Sequence, residues 1–249
     1  MNLKEILFKF LMNFGLYPHI RFTYSPLKVI EFDAIMKRMK FTGQETALDI
    51  GCGDGLQTLL ISEKVGHAIG LDINEEFIRR AHSYGKKFKA KGSTEFIAAS
   101  LETIGFPDDK FDVIFSICVI EHIENYREVL QECRRVLKPG GRIIFTVDTL
   151  EQIDDPKLIE QHCAQHHVYQ YFRRDTLAAL LAEVGFHDVQ FEQLFRSPMA
   201  KELFIHGIKH GFNFGRFKTP GLAVELQAAE DQVAIDAPGI FLLADATCP

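Results

Sequence analysis

Little in this sequence points to a membrane span, a zinc ribbon or a nucleic-acid surface. The five cysteines, Cys52, Cys118, Cys133, Cys163 and Cys248, are odd in number and scattered, with no CxxC pair among them. They offer no zinc-ribbon spacing and suit a reducing cytoplasm. Long apolar runs are missing too. The stretch from Ile6 to Tyr17 is interrupted by Lys9, is too short to span a bilayer, and is followed by no small-residue cleavage site. A basic surplus is absent: 28 Lys and Arg face 34 Asp and Glu, a net charge of −6, which argues against a duplex-binding face. No internal repeat or low-complexity tract stands out. What remains is an ordinary soluble composition, 47% apolar and 25% charged over 249 residues. That length suits one α/β domain with additions, or at most two small domains.

The middle of the chain has a regular beat. TALDI (46–50), HAIGLDI (67–73), TEFIAAS (94–100), FDVIFSI (111–117) and GRIIFTV (141–147) are short apolar runs that read as buried strands. Helical stretches separate them. LQTLLISEKV (56–65) is one. Asn74 is placed to cap another, EEFIRRAHSYGKKF, whose first turn is acidic. From Glu124 to Leu137 the apolar residues share one side, and the helix is expected to stop at Pro139-Gly140-Gly141. Strands alternating with helices predict βαβ units and an α/β fold with a doubly wound, mostly parallel sheet.

ALDIGCGDG (47–55) places Gly51, Gly53 and Gly55 between the first strand and its helix. Such a turn lets a ligand approach the backbone at the carboxyl end of the sheet, where helix N–H groups are free for an anion. The dinucleotide fingerprint GxGxxG would need glycine at 56, where the chain has Leu56. The second strand ends in Gly70-Leu71-Asp72, about twenty residues beyond the loop, where a carboxylate can accept both hydroxyls of a ribose. Asn74 is available as the helix cap, so Asp72 is free for that task. Glycine turn and ribose carboxylate together imply an adenosine-containing ligand.

ALDIGCGDG, GLDIN, SLETIGFPDDKFDVIFSICVIEHI and LKPGGRIIFTV, in this order, resemble the class I S-adenosylmethionine-dependent methyltransferases, especially their small-molecule-acting branch. The resemblance runs unbroken over about residues 46–149 and more weakly through HHVYQYFRRDTLAALLAEVGF (166–186). It implies a seven-stranded Rossmann-like sheet, S-adenosylmethionine as cofactor and S-adenosylhomocysteine as product. Asp49 and the turn Gly51-Cys52-Gly53, completed by Gly55, would then surround the methionine end. Asp72 would hold the ribose and Ile73 would pack on the adenine, with Ser100 and Leu101 flanking its other face. Ser100 departs from the family, which usually has Asp there, and a hydroxyl is a weaker acceptor. The segment from Ser116 to His122 would lie beside the cofactor, with His122 as the candidate base or acceptor contact. The bland alternative for His122 is a backbone hydrogen bond that orders the next helix.

Because a sulfonium already activates its methyl group, alignment is the main demand on the protein. The absence of a catalytic triad or paired carboxylates therefore does not count against catalysis. Enzymes of the resembling fold that methylate amide or adenine nitrogens usually carry an Asn/Asp-Pro-Pro-aromatic turn after the fourth strand, where this chain reads SICV. The 5-methylcytosine type has a Pro-Cys nucleophile, where Cys118 follows Ile117. Both departures disfavour nucleic acids and glutamine-type protein substrates. A small-molecule or lipid-like acceptor is expected; a non-catalytic cofactor-binding module is the alternative.

His162 and His166 stand four apart, a spacing that puts two possible metal ligands on one helix face. Neither has an HExxH-type carboxylate, and Gln161 and Gln165 are poor substitutes, so no metal is expected. With His167, Cys163, Tyr169 and Tyr171 they read as a wall of the acceptor pocket. Residues 1–45 are expected to form a helical cap, and 46–195 the core. DVQFEQLF (188–195) and GIFLLADA (239–246) should be the last two strands. Between them, 196–238 is too long for a loop and should be a helical lid, one helix opening at Ser197-Pro198 and another spanning Gly221 to Val233. Phe204, Phe212, Phe214 and Phe217 either pack these helices or line a greasy acceptor site.

Overall fold

A computed structural model describes residues 24–88, 91–215 and 217–249. Most of the expected amino-terminal cap, residues 1–23, lies outside them. The described chain opens with α1 (Pro26–Arg38) and continues β1 (Thr46–Ile50), α2 (Leu56–Ser62), β2 (His67–Asp72), α3 (Glu75–Lys87), β3 (Ser93–Ala98) and α4 (Leu101–Ile104). Then come β4 (Phe111–Ile117), a 3-10 turn (Ile120–His122), α5 (Tyr126–Val136), β5 (Leu137–Asp148), α6 (Pro156–His166) and α7 (Arg174–Val184). The chain closes with β6 (His187–Leu194), α8 (Pro198–His210), α9 (Thr219–Glu230) and β7 (Phe241–Thr247). One seven-stranded sheet results, in the order β3-β2-β1-β4-β5-β7-β6, parallel except for β7, which runs antiparallel to both neighbours.

The sheet is covered on both faces, which is why its strands read as continuous apolar runs. Side chains alternate along each strand. Ile114 and Phe145 point to one core with Val129, Leu130, Cys133 and Val136 of α5 and Leu177 and Leu181 of α7. Phe115 and Ile144 point to the other, where Leu27 and Ile35 of α1, Ala200, Phe204 and Ile208 of α8, and Leu226 of α9 pack. The segment 196–238 is thus part of one core layer. Its ends are pinned by Glu230, whose carboxylate accepts from the backbone N–H groups of Arg196 and Ser197, both at 2.8 Å.

Local signals explain most boundaries. The Asn74 side chain accepts from the N–H groups of Glu76 and Phe77 at the start of α3, and Ser197 does the same for Ala200 at α8. One boundary differs from expectation. Pro139-Gly140-Gly141 does not follow the end of α5 as a free stop, because β5 already begins at Leu137. Leu137 pairs with Phe111, and a bulge then shifts the register so that Val113 meets Arg142. Antiparallel β7 supplies the missing partners: Gly140 N–H donates to Cys248 O, and Cys248 N–H to Gly141 O. This pairing joins residues more than a hundred positions apart, so no local pattern announces it.

Candidate active site

Strand order reverses between β1 and β4. Open α/β sheets bind ligands outside the carboxyl ends of the strands at that place. Three glycines lie there in left-handed conformations, Gly51 at φ +71°, Gly53 at +54° and Gly55 at +82°. Their reasons differ. A side chain on Gly51 would strike Val119, and a Cβ on Gly55 would sit 2.7 Å from the Ala81 Cβ and against the Phe96 ring. Packing of the chain on itself suffices to explain those two. A Cβ on Gly53 meets no protein atom within 4 Å. The sequence pattern treats all three as room for a ligand; the structure leaves that role to Gly53 alone.

Asp72 closes the loop. One carboxylate oxygen accepts from Gly53 N–H at 2.9 Å and the other from Asn74 N–H at 2.8 Å. Each oxygen keeps an acceptor site, because an ionised carboxylate offers about four. Ile73, next along, is 79% exposed, conspicuous for so apolar a residue. Asp49 is buried below the loop and accepts from the Thr58 hydroxyl at 2.6 Å. Burial pushes its carboxyl up to about 8, against the pull of the Thr58 hydrogen bond. A cationic ligand group beside it would restore the ionised form.

The other residues singled out by sequence fall around this loop with unequal access. Cys52 is buried, and its N–H donates to Leu71 O. The Ser116 hydroxyl is buried and donates to Ile50 O, holding the ends of β1 and β4 together. Leu101 is in the core, leaving its backbone for any ligand contact. Ser100 stands at the start of α4 with its hydroxyl 3.0 Å from that of Thr103. His122 ends the 3-10 turn. Its Nδ1 is buried and has no partner among the described residues. Burial lowers its pKa, opposed by hydrogen bonding to the backbone at His167 and His166.

A second group of polar side chains gathers at the ends of β4 and β5, and the sequence reading missed most of it. Cys118, at φ +50°, donates its thiol to Glu31 at 2.9 Å, and the Thr146 hydroxyl donates to the same oxygen at 2.6 Å. Lys28 pairs with Glu31 from the same face of α1 at 2.8 Å. The Glu121 carboxylate accepts from Asp148 N–H at 3.2 Å, and Asp148 lies 3.6 Å from His162 Nε2. His162 Nδ1 in turn pairs with the Tyr171 hydroxyl at 3.1 Å. Burial, with the neighbouring Asp148 charge, raises the Glu121 carboxyl well above its usual range. Asp148 is pushed up to about 7 by burial, although Lys28 opposes it, and burial drives His162 down to about 3. The carboxylate that His162 lacks in sequence is therefore supplied by the end of β5. The available signal was an acid inside an apolar run, Glu121 in SICVIEHI and Asp148 after GRIIFTV.

The family model described as a methyltransferase domain matches residues 48–145. A sterol 24-C-methyltransferase of Gibberella zeae is 38% identical over 95 residues, 38% of this chain and 25% of that one. Phosphoethanolamine N-methyltransferase of Triticum aestivum is 29% identical over 151 residues, covering 59% and 29%. Among solved structures, phosphoethanolamine N-methyltransferase 2 of Haemonchus contortus, in complex with S-adenosyl-L-methionine, shares the fold. Its TM-score is 0.67 at 23% identity, over 96% of this chain and 59% of that one. Residues 48–145 carry a methyltransferase domain, similar in sequence and fold to S-adenosylmethionine-dependent enzymes. The matched stretches span less than a third of the two curated relatives' length.

Within the methyltransferase domain, the departure at Ser100 is testable. Ser100→Asp places a stronger acceptor at a helix start that favours acids. S-adenosylmethionine affinity is expected to hold or rise, read by calorimetry. A large loss would show that the pairing of Ser100 with Thr103 is what the site needs. Among the described residues, no helix is long and apolar enough to cross a membrane.

Proposed function

We propose that this chain transfers a methyl group from S-adenosylmethionine to a small-molecule or lipid-like acceptor, chiefly by holding the reactants in line. The observation that carries the reading is the Asp72–Gly53 arrangement: a carboxylate with spare acceptor sites, open space over a left-handed glycine, and an exposed Ile73, all at the sheet's switch point. These residues fit the cofactor. Asp72 would accept its ribose hydroxyls, Ile73 would pack on its adenine, and Asp49 with the backbone of 51–53 would receive its charged methionine end. Bound S-adenosylmethionine supplies an activated methyl group. The chain's part is to exclude water and place the acceptor, with His122, whose pKa burial lowers, as the candidate to take a proton from it. Helix α1, which packs on α9 and on β4 and β5, and helices α6 and α8, which pack against each other, would wall the acceptor side.

Isotope-labelled S-adenosylmethionine incubated with the protein and a small-molecule extract tests this. Label is expected in an organic-extractable or metabolite-sized product. Cofactor binding by calorimetry with no transfer would favour the non-catalytic module instead. Asp72→Ala should weaken cofactor binding by about 1.5–3 kcal/mol, the size of lost hydrogen bonds to a charged group. Unchanged affinity in the folded variant would refute the ribose assignment.

A further inference from the structure

We propose that Cys118, Glu121 and Asp148 form a site for one divalent transition-metal ion, with zinc or cobalt(II) as its preferred class. One donor atom from each lies within 4.8 Å of the others. A tetrahedral ion with a metal–sulfur distance of about 2.3 Å and metal–oxygen distances of about 2.0–2.2 Å holds such atoms about 3.3–3.7 Å apart. The Cys118 Sγ already stands 3.8 Å from Asp148 Oδ1, and the widest-set donors would close by roughly 1 Å on loading. They converge from three adjoining places: Cys118 just after β4, Glu121 in the 3-10 turn and Asp148 at the end of β5.

An independent observation points to a ligand here. Glu121 is wholly buried, and while one carboxylate oxygen accepts from Asp148 N–H, the other has no partner among the described residues. An orphaned buried carboxylate oxygen is costly unless something cationic meets it. Glu31, Glu121 and Asp148 are all buried, and among the described residues the ammonium beside them, Lys28, is already paired with Glu31. A bound cation would deprotonate Cys118, since a coordinating thiol gives up its proton outright. Loading the ion releases the thiol proton, now donated to Glu31, while Lys28 keeps its pairing.

The donor set chooses the metal. A thiolate with two carboxylates suits zinc and cobalt(II) better than magnesium or calcium, which prefer all-oxygen shells. His162 Nε2, 3.6 Å from Asp148, stands where it can orient that carboxylate or join the shell. Three protein ligands leave a coordination position open, the arrangement of catalytic rather than structural zinc. The binding site rests on this geometry alone; only the use of its open position to hold an acceptor oxygen or sulfur rests on the methyl-transfer reading.

Cobalt(II) titrated into chelator-treated protein is the test. The expected result is one ion per chain, with a thiolate-to-cobalt charge-transfer band in the near ultraviolet. That band should disappear in Cys118→Ser, and affinity should fall at least tenfold in Asp148→Asn and in Glu121→Gln. Absence of the band in the wild-type protein, or its persistence in Cys118→Ser, would overturn the proposal. If Cys118→Ser does not fold by circular dichroism, the two carboxylate variants decide, and unchanged cobalt affinity in both would refute the site. Calorimetry with S-adenosylmethionine on the same samples reads the cofactor assignment separately.

Discussion

Gly53→Val is expected to abolish S-adenosylmethionine binding, raising Kd more than about 100-fold, or about 2.7 kcal/mol, while the protein remains folded. The two halves of that expectation rest on different facts. A Cβ at Gly53 meets no protein atom, so the branched side chain finds room and the core is not disturbed. The cost to folding is the left-handed backbone at φ +54°, about 1–2 kcal/mol for a residue with a Cβ. The cost to binding is larger, because the side chain occupies the space over the loop that Asp72 anchors through Gly53 N–H. Gly51→Val and Gly55→Val should behave otherwise and damage folding first, since each strikes packed side chains. Calorimetry and a urea melt on the three variants separate these outcomes. Near wild-type affinity in Gly53→Val would mean that no ligand approaches this backbone.

Phe204→Ala should destabilise the protein by about 3–5 kcal/mol, the usual range for removing a buried aromatic ring. Phe204 is 1% exposed, and its ring centroid lies 5.2 Å from His162, 5.4 Å from Phe212 and 5.7 Å from Phe241. It thus joins α8 to α6 and to the start of β7. Phe217, 83% exposed in the same segment, is the control, and Phe217→Ala should change stability by no more than about 0.5 kcal/mol. Urea melts with unchanged slopes should report both as shifts in midpoint. Equal midpoints for the two variants would contradict the core assignment of α8. Excising 196–238 is a poor probe of its role in catalysis. The excision would remove Ala200, Phe204, Ile208 and Leu226 from a core layer.

Local chemistry was readable along the chain because its determinants are neighbours. Asn74 caps α3 from the adjacent position, and the buried face of α5 repeats at helical spacing. The glycine loop and Asp72 follow one another across a single βα unit, so this part of the candidate site could be read from order and spacing. The second polar group could not. Glu31, Cys118, Glu121, Asp148 and His162 come from α1, β4, the following turn, β5 and α6, and no periodic pattern links such positions.

By itself the sequence determined the alternation of strands and helices, the parallel sheet and the carboxylate at the end of β2. Each depends on burial periodicity or on turn chemistry within a few residues. Tertiary structure decided which glycine stands over open space, because Gly51 and Gly55 are answered by Val119 and Phe96 from other elements. It likewise decided that α8 and α9 build a core layer, and that Lys28 on α1 pairs with the Glu31 carboxylate beside Cys118. Those outcomes are sums of contacts between distant segments, and distance along the chain carries no record of them until the sheet has closed.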